Sequence, residues 1–279
     1  MARKKPSNWP AAPRKFHPVR QAGFEFETQA KARDVDRRNG HSLERLSEPN
    51  RPARKVAASL LDRRRRPRKM SSARTKRAWR IAFVGQITEL IERKRKKVWL
   101  CTGMPYGWLI PADELPNVDP RVLLEQLRAV FNRAKLGHAG GWAYFVLDIE
   151  YIEHLDAFSF HVHGVATSRI ARRFKALRHR PKFQWAEGSV GAPRRPIQVK
   201  KVRRGDTARV ANYLPKTYFG KRVYRLEGDQ YIRTNRRVRI PEPRHSELLV
   251  WLARWSIDDF VLPVSLYFGQ GRLEVSSRG

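Results

Sequence analysis

Apolar positions along the chain follow a helical period in several segments. Between residues 72 and 96 they lie three or four apart, which predicts a helix with one buried face. A second amphipathic helix is predicted from Pro120 to Lys135, because proline suits the first turn of a helix. Shorter helices are expected over residues 170–179 and 208–214. The second helix is expected to bury Val122, Leu123, Leu127, Val130 and Phe131.

Runs of β-branched and aromatic residues predict the strands. They cover residues 98–102, 142–152, 158–166 and 196–202, and a turn at 153–156 joins the middle two into a hairpin. In chain order, strands alternate irregularly with helices instead of repeating a strand–helix unit. This order predicts an α+β domain with a central, mostly antiparallel sheet flanked by helices.

The beginning of the chain differs from the rest. Residues 1–72 are rich in Arg, Lys, Pro and Ser, and few apolar residues recur at any period. We therefore expect a mostly disordered basic arm, acting as a weak DNA tether or as a solvated tail. The core domain is expected over residues 73–240, with 241–279 as a C-terminal extension that packs on it. The most basic block of the arm contains Arg63, Arg64, Arg65 and Arg66.

The charge of the chain indicates its partner. In 279 residues, 59 Lys and Arg stand against 26 Asp and Glu, for a formal net charge of +33. Nucleic acid is the expected partner, because neutralised phosphates release condensed counterions. An anionic membrane surface is the rival, but no strongly amphipathic basic helix supports it. Outside the arm, the expected DNA contacts are Arg172, Arg173, Lys200 and Lys201.

Other features indicate a location inside the cell. Cys101 is the only cysteine, so an intramolecular disulfide is excluded and a reducing compartment is expected. The basic start of the chain is not followed by the apolar stretch of a secretory signal, and no apolar run has the length of a membrane span. We expect a soluble, cytoplasmic protein with no membrane partner.

Two histidines indicate a metal site. His161 and His163 flank Val162 in an apolar run, and side chains two apart on a strand share one face. Asp148 and Glu150 share a face of the preceding strand in the same way, so the hairpin brings one of them to the histidines. Two imidazoles and one carboxylate suit Mn²⁺, Mg²⁺ or a catalytic Zn²⁺ that polarises a phosphate.

About fifty residues later, two tyrosines offer a nucleophile. Tyr213 lies one helical turn from Lys216, and Tyr218 repeats the spacing with Lys221. A tyrosine oxygen can attack a phosphodiester and become linked to the phosphate, with a lysine offsetting the negative charge. Because Pro215 interrupts a regular helix between them, both tyrosines stay candidates.

Over about residues 97–222 the chain resembles the HUH superfamily of single-strand endonucleases, in particular the rolling-circle replication initiators of plasmids and phages. The matching residues are the strand run 98–102, the histidines His161 and His163, and the pair Tyr213 and Lys216. The resemblance implies Glu150 as the acidic metal ligand. It also implies a tyrosine that nicks one strand at an origin, keeps the 5′ phosphate and leaves a 3′ hydroxyl. The tyrosines are five apart, whereas phage members have them four apart.

Other functions use parts of the same pattern. A transposase or a conjugative relaxase of this superfamily would carry out the same reaction. A basic nucleic-acid-binding protein would catalyse no reaction. A nucleotidyl hydrolase with a third alternating histidine is disfavoured, because Val165 stands in that position. The chain lacks a phosphate-binding glycine loop before Lys-Ser/Thr, so a replication initiator of this kind would depend on the helicase and polymerase of its host.

Overall fold

The computed structural model of the protein describes residues 20–21, 24–46, 50–62, 64, 68–94, 97–185, 195–216, 218–227, 230–269 and 272–276. Its helices are α1 (Gln29–Glu44), α2 (Arg51–Leu61), α3 (Ala73–Lys94), α4 (Pro120–Arg133), α5 (Ser168–Ala176), α6 (Thr207–Tyr213) and α7 (Arg244–Leu252). Its strands are β1 (Arg20–Gln21), β2 (Phe24–Glu25), β3 (Val98–Gly103), β4 (Leu109–Pro111), β5 (Ala143–Ile152), β6 (Ala157–Thr167), β7 (Ile197–Lys201), β8 (Lys221–Glu227), β9 (Gln230–Val238), β10 (Val261–Val264), β11 (Leu266–Gly269) and β12 (Arg272–Val275). None of these helices combines the length and the apolar character needed to cross a lipid bilayer.

One mixed sheet organises the molecule. Its strands follow the order β7-β3-β6-β5-β8-β9, with β10 paired to β5 and β4 paired to β6. The pairing is antiparallel except between β5 and β8, which meet in parallel at Tyr151 and Lys221. The predicted α+β class, with a central sheet flanked by helices, is confirmed.

Helices cover both faces of the two central strands, β5 and β6, whose residues are all buried. On one face, the ring of Phe145 lies 5.1 Å from Phe131 of α4 and 5.1 Å from Phe174 of α5, measured between centroids. On the other face, the ring of Tyr144 lies 4.8 Å from Phe83 of α3. Because adjacent strand residues point to opposite faces, the core packs on both sides of β5.

The predicted helices and strands of the core are present within a few residues of their expected ends. The helix expected to begin at Pro120 is α4, and Asp119 caps it by accepting a hydrogen bond from the Arg121 N–H. The prediction for Val122 is wrong, since this side chain is 53% exposed and Leu124 takes the buried position instead. When consecutive residues of a helix are all apolar, their spacing alone does not decide which of them is buried.

The expectation of a disordered arm is wrong for the segments that form α1 and α2. Apolar residues of α2 recur at helical spacing and pack against Leu43 of α1 and Leu249 of α7. The partner Leu249 lies almost 200 residues away in the sequence, so local composition does not reveal it. Arg64 is exposed, whereas Arg63, Arg65 and Arg66 lie outside the described residues. The buried residues of α2 are Ala53, Val56, Ala57 and Leu60.

A buried carboxylate ties α1 to the start of α3. Asp36 is fully buried and accepts hydrogen bonds from the Ser72 hydroxyl at 2.7 Å, the Ala73 N–H at 2.5 Å and the Arg74 Nε at 2.7 Å. It thereby satisfies a backbone N–H at the N-terminus of α3 and pairs with a buried guanidinium. The N-terminal helices are thus part of the core's polar framework.

The C-terminal part of the chain also belongs to this core. β10 extends the edge of β5, pairing Leu262 with Phe145. Trp251 of α7 is buried, with its ring centroid 5.7 Å from that of Phe160 on β6. Trp251 therefore covers the face of the sheet opposite the histidines.

Replacing Asp36 tests whether the N-terminal helices are integral to the fold. We expect Asp36→Ala to lower the free energy of unfolding by about 3 kcal/mol, because it leaves the Arg74 guanidinium buried without its carboxylate. Urea denaturation measures this change. The control is Asp34→Ala on the same helix, where an exposed pair with Arg37 contributes less than about 1 kcal/mol. Equal effects of the two substitutions would contradict the prediction.

Candidate metal and tyrosine site

The pairing of β5 with β6 brings one carboxylate to both histidines. Asp148 lies directly opposite His161 in the ladder, so their side chains share a face. Asp148 Oδ2 is 2.9 Å from His161 Nε2 and 3.2 Å from His163 Nε2. All three side chains are buried, and one ligand atom from each lies within 4.8 Å of the other two. The three residues form a compact group with the donors of a metal site.

Neighbouring groups orient both imidazole rings. His161 Nδ1 donates to the Ser159 carbonyl oxygen at 3.3 Å, and Thr102 Oγ1 hydrogen-bonds His163 Nδ1 at 2.9 Å. Each ring therefore presents Nε2 to the same point beside Asp148. Contacts of this kind set the ring orientation of metal-binding histidines.

The donor set fits a divalent cation. Two imidazole nitrogens and one carboxylate oxygen leave further coordination positions for water or a substrate oxygen. In addition, Asp148 Oδ1 is buried and has no hydrogen-bond partner among the described residues. A buried carboxylate oxygen normally has a partner, and a bound ion would supply one.

Glu150 is not part of this group, which corrects the expectation drawn from the family resemblance. Two arginines hold its carboxylate: Arg222 Nε lies 2.9 Å from Oε1, and Arg237 Nη2 lies 3.1 Å from Oε2. Glu150 lies opposite Ser159 in the ladder. This is the next residue pair, after Asp148 and His161, whose side chains point to the same face. The register of the hairpin therefore selects Asp148 as the carboxylate at the histidines.

The electrostatics of the group favour metal binding. Burial opposes ionisation of Asp148, but Lys216 and His161 together hold its pKa well below the usual range. Burial, reinforced by His161 and Lys216, lowers the pKa of His163 to about 3 although Asp148 opposes the shift. His163 is therefore a neutral imidazole at pH 7, the form that binds metals.

Tyr213 and Lys216 reach this group from α6 and the turn after it. The Tyr213 hydroxyl oxygen is 3.5 Å from His163 Nε2, and the two ring centroids are 5.0 Å apart. The Lys216 ammonium contacts Asp148 Oδ2 and lies 5.0 Å from the centroid of the Tyr213 ring. Burial lowers the pKa of Lys216, while Asp148 opposes the shift. The predicted tyrosine–lysine pair and the histidine pair therefore meet in one site.

The two residues of the second tyrosine–lysine pair, Tyr218 and Lys221, lie in different parts of the structure. Tyr218 is 44% exposed and lines a cavity of about 420 Å³ together with Tyr213, which we call the tyrosine cavity. Lys221 instead pairs with Glu153 in the turn after β5, with Nζ 2.5 Å from Oε1. Tyr218 thus stays near the site, whereas Lys221 is bound elsewhere.

A second cavity, of about 180 Å³, opens over His161 and His163, and we call it the histidine groove. Tyr213 and Arg237 line both the histidine groove and the tyrosine cavity, so the two adjoin. Their walls are strongly basic, which suits a phosphodiester chain. The remaining basic side chains that line them are Arg80 and Arg209 in the tyrosine cavity, Lys200 and Arg222 in the histidine groove, and Lys216 beside Tyr213.

The other expected DNA contacts lie away from this site. Lys201 neighbours Lys200 on β7 and points to the opposite face of the sheet. Arg172 and Arg173 are exposed on α5, which covers the face opposite the histidines. Among the four basic residues expected outside the arm, only Lys200 lines the groove.

Sequence reasoning missed several residues of the site. Thr102 ends a predicted strand, but its place beside His163 depends on the register of β3 with β6, which the sequence does not show. Arg80 reaches the tyrosine cavity from α3, with Nε 2.7 Å from Asn212 Oδ1 on α6. With 59 Lys and Arg in the chain, no sequence signal separates Arg222 and Arg237 from the others.

Comparisons of the chain with protein-family models, with curated proteins and with solved structures gave no match. The family resemblance therefore depends on the motif residues and on where they lie relative to one another.

Metal binding tests the role of Asp148. We expect Asp148→Asn and His161→Ala to weaken Mn²⁺ binding by about 100-fold, because each removes a direct ligand. Isothermal titration measures the affinity. Glu150→Gln is the matched carboxylate control and His154→Ala the matched histidine control, and we expect about wild-type binding for both. If Glu150→Gln weakens binding as much as Asp148→Asn, the assignment of the ligands is wrong.

Replacing Lys216 is expected to strengthen Mn²⁺ binding, whereas replacing a ligand is expected to weaken it. Its ammonium is a cation in contact with the Asp148 oxygen that faces both histidines. We expect Lys216→Ala to bind Mn²⁺ about tenfold more tightly, because a positive charge beside the ion is removed. Lys216→Arg keeps the charge and is the control. Weaker Mn²⁺ binding by Lys216→Ala would show that the lysine supports the metal site instead of competing with the ion.

Proposed function

We propose that the protein is a metal-dependent single-strand DNA endonuclease and strand transferase of the HUH type that initiates rolling-circle replication. The observation that carries the proposal is the position of the Tyr213 hydroxyl, 3.5 Å from Nε2 of His163. A nucleophile beside a pair of histidines and a carboxylate suits metal-assisted phosphodiester transfer.

The chain's own residues prepare a phosphate for attack. Basic side chains of the histidine groove and tyrosine cavity attract the DNA strand and hold it by its backbone. Lys216 offsets negative charge beside Tyr213. Asp148, His161 and His163 would hold the metal, which supplies charge stabilisation at the phosphate when bound.

The reaction transfers a phosphoryl group and needs no co-reactant beyond a proton acceptor and donor. The Tyr213 oxygen forms a bond to phosphorus, and the bond from phosphorus to the 3′ oxygen of the preceding nucleotide breaks. Tyr213 loses its proton to solvent, and the 3′ oxygen takes one up. The products are a 5′-phosphotyrosyl link and a 3′ hydroxyl, which a host polymerase extends while a host helicase unwinds the duplex.

Tyr213 is the better candidate for the nucleophile. Its hydroxyl lies next to His163, whereas Tyr218 lines the tyrosine cavity beyond it. Burial and Asp148 raise the pKa of Tyr213, while Arg237 and Arg222 oppose the shift. The two arginines therefore reduce the cost of forming the phenolate, which burial and Asp148 oppose.

The covalent product gives a direct test. We expect the protein with Mn²⁺ to form an adduct with a pool of single-stranded oligonucleotides of random core sequence, detected on denaturing gels. Tyr213→Phe should reduce the adduct by at least about 1,000-fold, because it removes the attacking oxygen. Sequencing the DNA attached to the protein would identify the cleavage site.

Two further variants complete this experiment. Tyr218→Phe should keep most of the adduct, and Tyr267→Phe, which removes an exposed hydroxyl on β11, should keep all of it. Loss of the adduct in Tyr218→Phe but not in Tyr213→Phe would transfer the role to Tyr218. With no adduct from the wild-type protein under any metal, a basic DNA-binding protein without chemistry becomes the better account.

A further inference from the structure

Glu150 holds two arginines where the histidine groove meets the tyrosine cavity. Glu150 is 2% exposed, and its carboxylate accepts from Arg222 Nε at 2.9 Å, Arg222 Nη2 at 3.3 Å and Arg237 Nη2 at 3.1 Å. Arg222 also donates from Nη1 to the Thr234 carbonyl at 3.1 Å. One buried negative charge thus fixes two positive ones, and the pair of arginines keeps a surplus of positive charge facing the groove.

Arg237 differs from Arg222 in how many of its guanidinium nitrogens donate hydrogen bonds to described protein acceptors. Only Nη2 of Arg237 donates to a protein acceptor among the described residues, and its side chain is 24% exposed. Arg237 is also the arginine that lines both cavities. Within the part of the chain that the structure describes, its Nε and Nη1 donate to no protein acceptor, and the side chain lies at the junction together with Tyr213.

We propose that Arg237, anchored by Glu150 and supported by Arg222, is a phosphate-binding residue that holds the backbone of single-stranded DNA between the histidine groove and the tyrosine cavity. The inference rests on the proposed function only in placing a DNA strand in this site. A guanidinium fixed on one edge offers its remaining N–H groups in the planar geometry that matches phosphate oxygens.

The role of Glu150 as an anchor can be tested by the direction in which Glu150→Gln changes the affinity for DNA. For a protein of net charge +33, neutralising an acid should tighten DNA binding if electrostatics alone acted. If Glu150 positions Arg237, however, Glu150→Gln should weaken binding, because the guanidinium loses its fixed orientation. The two accounts therefore predict opposite changes for the same substitution.

The experiment measures binding of fluorescent oligo-dT by the full chain carrying Tyr213→Phe, in EDTA, over a range of salt concentrations. We expect Arg237→Ala to bind about tenfold more weakly and to reduce the salt dependence of log K by about 0.7, the value for one phosphate contact on a single strand. Glu150→Gln should also bind more weakly. Arg236→Ala is the matched control, since this exposed neighbour on β9 lines neither the histidine groove nor the tyrosine cavity, and it should change binding less than twofold.

Arg237→Lys keeps the proposal testable if Arg237→Ala fails to fold. It retains the charge but loses the planar donors, so we expect about threefold weaker binding with an unchanged salt dependence. The proposal is overturned if Arg237→Ala or Arg237→Lys binds like wild type, or if Glu150→Gln binds more tightly. Because metal and nucleophile are absent from this assay, a failed adduct experiment and a failed arginine experiment are separate results.

Discussion

The register between β5 and β6 is the constraint on which the candidate site depends. Side chains directly opposite in an antiparallel ladder share a face, and this ladder pairs Asp148 with His161. A shift of two residues would keep the same face toward the site but would place Glu150 at the histidines. The short turn at Glu153–Leu155, closed by Asp156 in a left-handed conformation at φ 43°, holds the register as it is.

This register gives two similar carboxylates different surroundings. Asp148 meets two imidazoles and an ammonium, whereas Glu150 meets two guanidinium groups. Both are buried, and a buried carboxylate is stable as an anion only when charges or hydrogen bonds compensate its desolvation. Besides the histidines of β6, the compensation comes from Lys216 in the turn after α6 and from arginines of β8 and β9, so segments distant in sequence from the hairpin contact it. Three of the basic residues that line the site, Lys216, Arg222 and Arg237, answer that requirement.

The core elements could be predicted because their signals are local. Helical spacing in α3 and α4, and β-branched runs in β5 and β6, are visible within windows of about ten to twenty residues. The helices α1 and α2 could not, because a composition rich in Arg and Pro hides a narrow apolar stripe whose partner is Leu249. The role of Asp36 could not be predicted either. Nothing within α1 distinguishes this aspartate, and it caps α3 only because the fold brings it to the Ala73 N–H.

By itself, the sequence determined the α+β class, the shared face of His161 and His163, and the presence of a nearby tyrosine–lysine pair. The first two follow from the fixed periods of strands and helices, which depend on backbone geometry alone, and the third is read directly from the residue types. Only the tertiary structure decided between Asp148 and Glu150, brought Tyr213 beside His163, and selected Arg222 and Arg237 from the many arginines. Those choices depend on strand register and on packing between distant segments, for which periodicity carries no information.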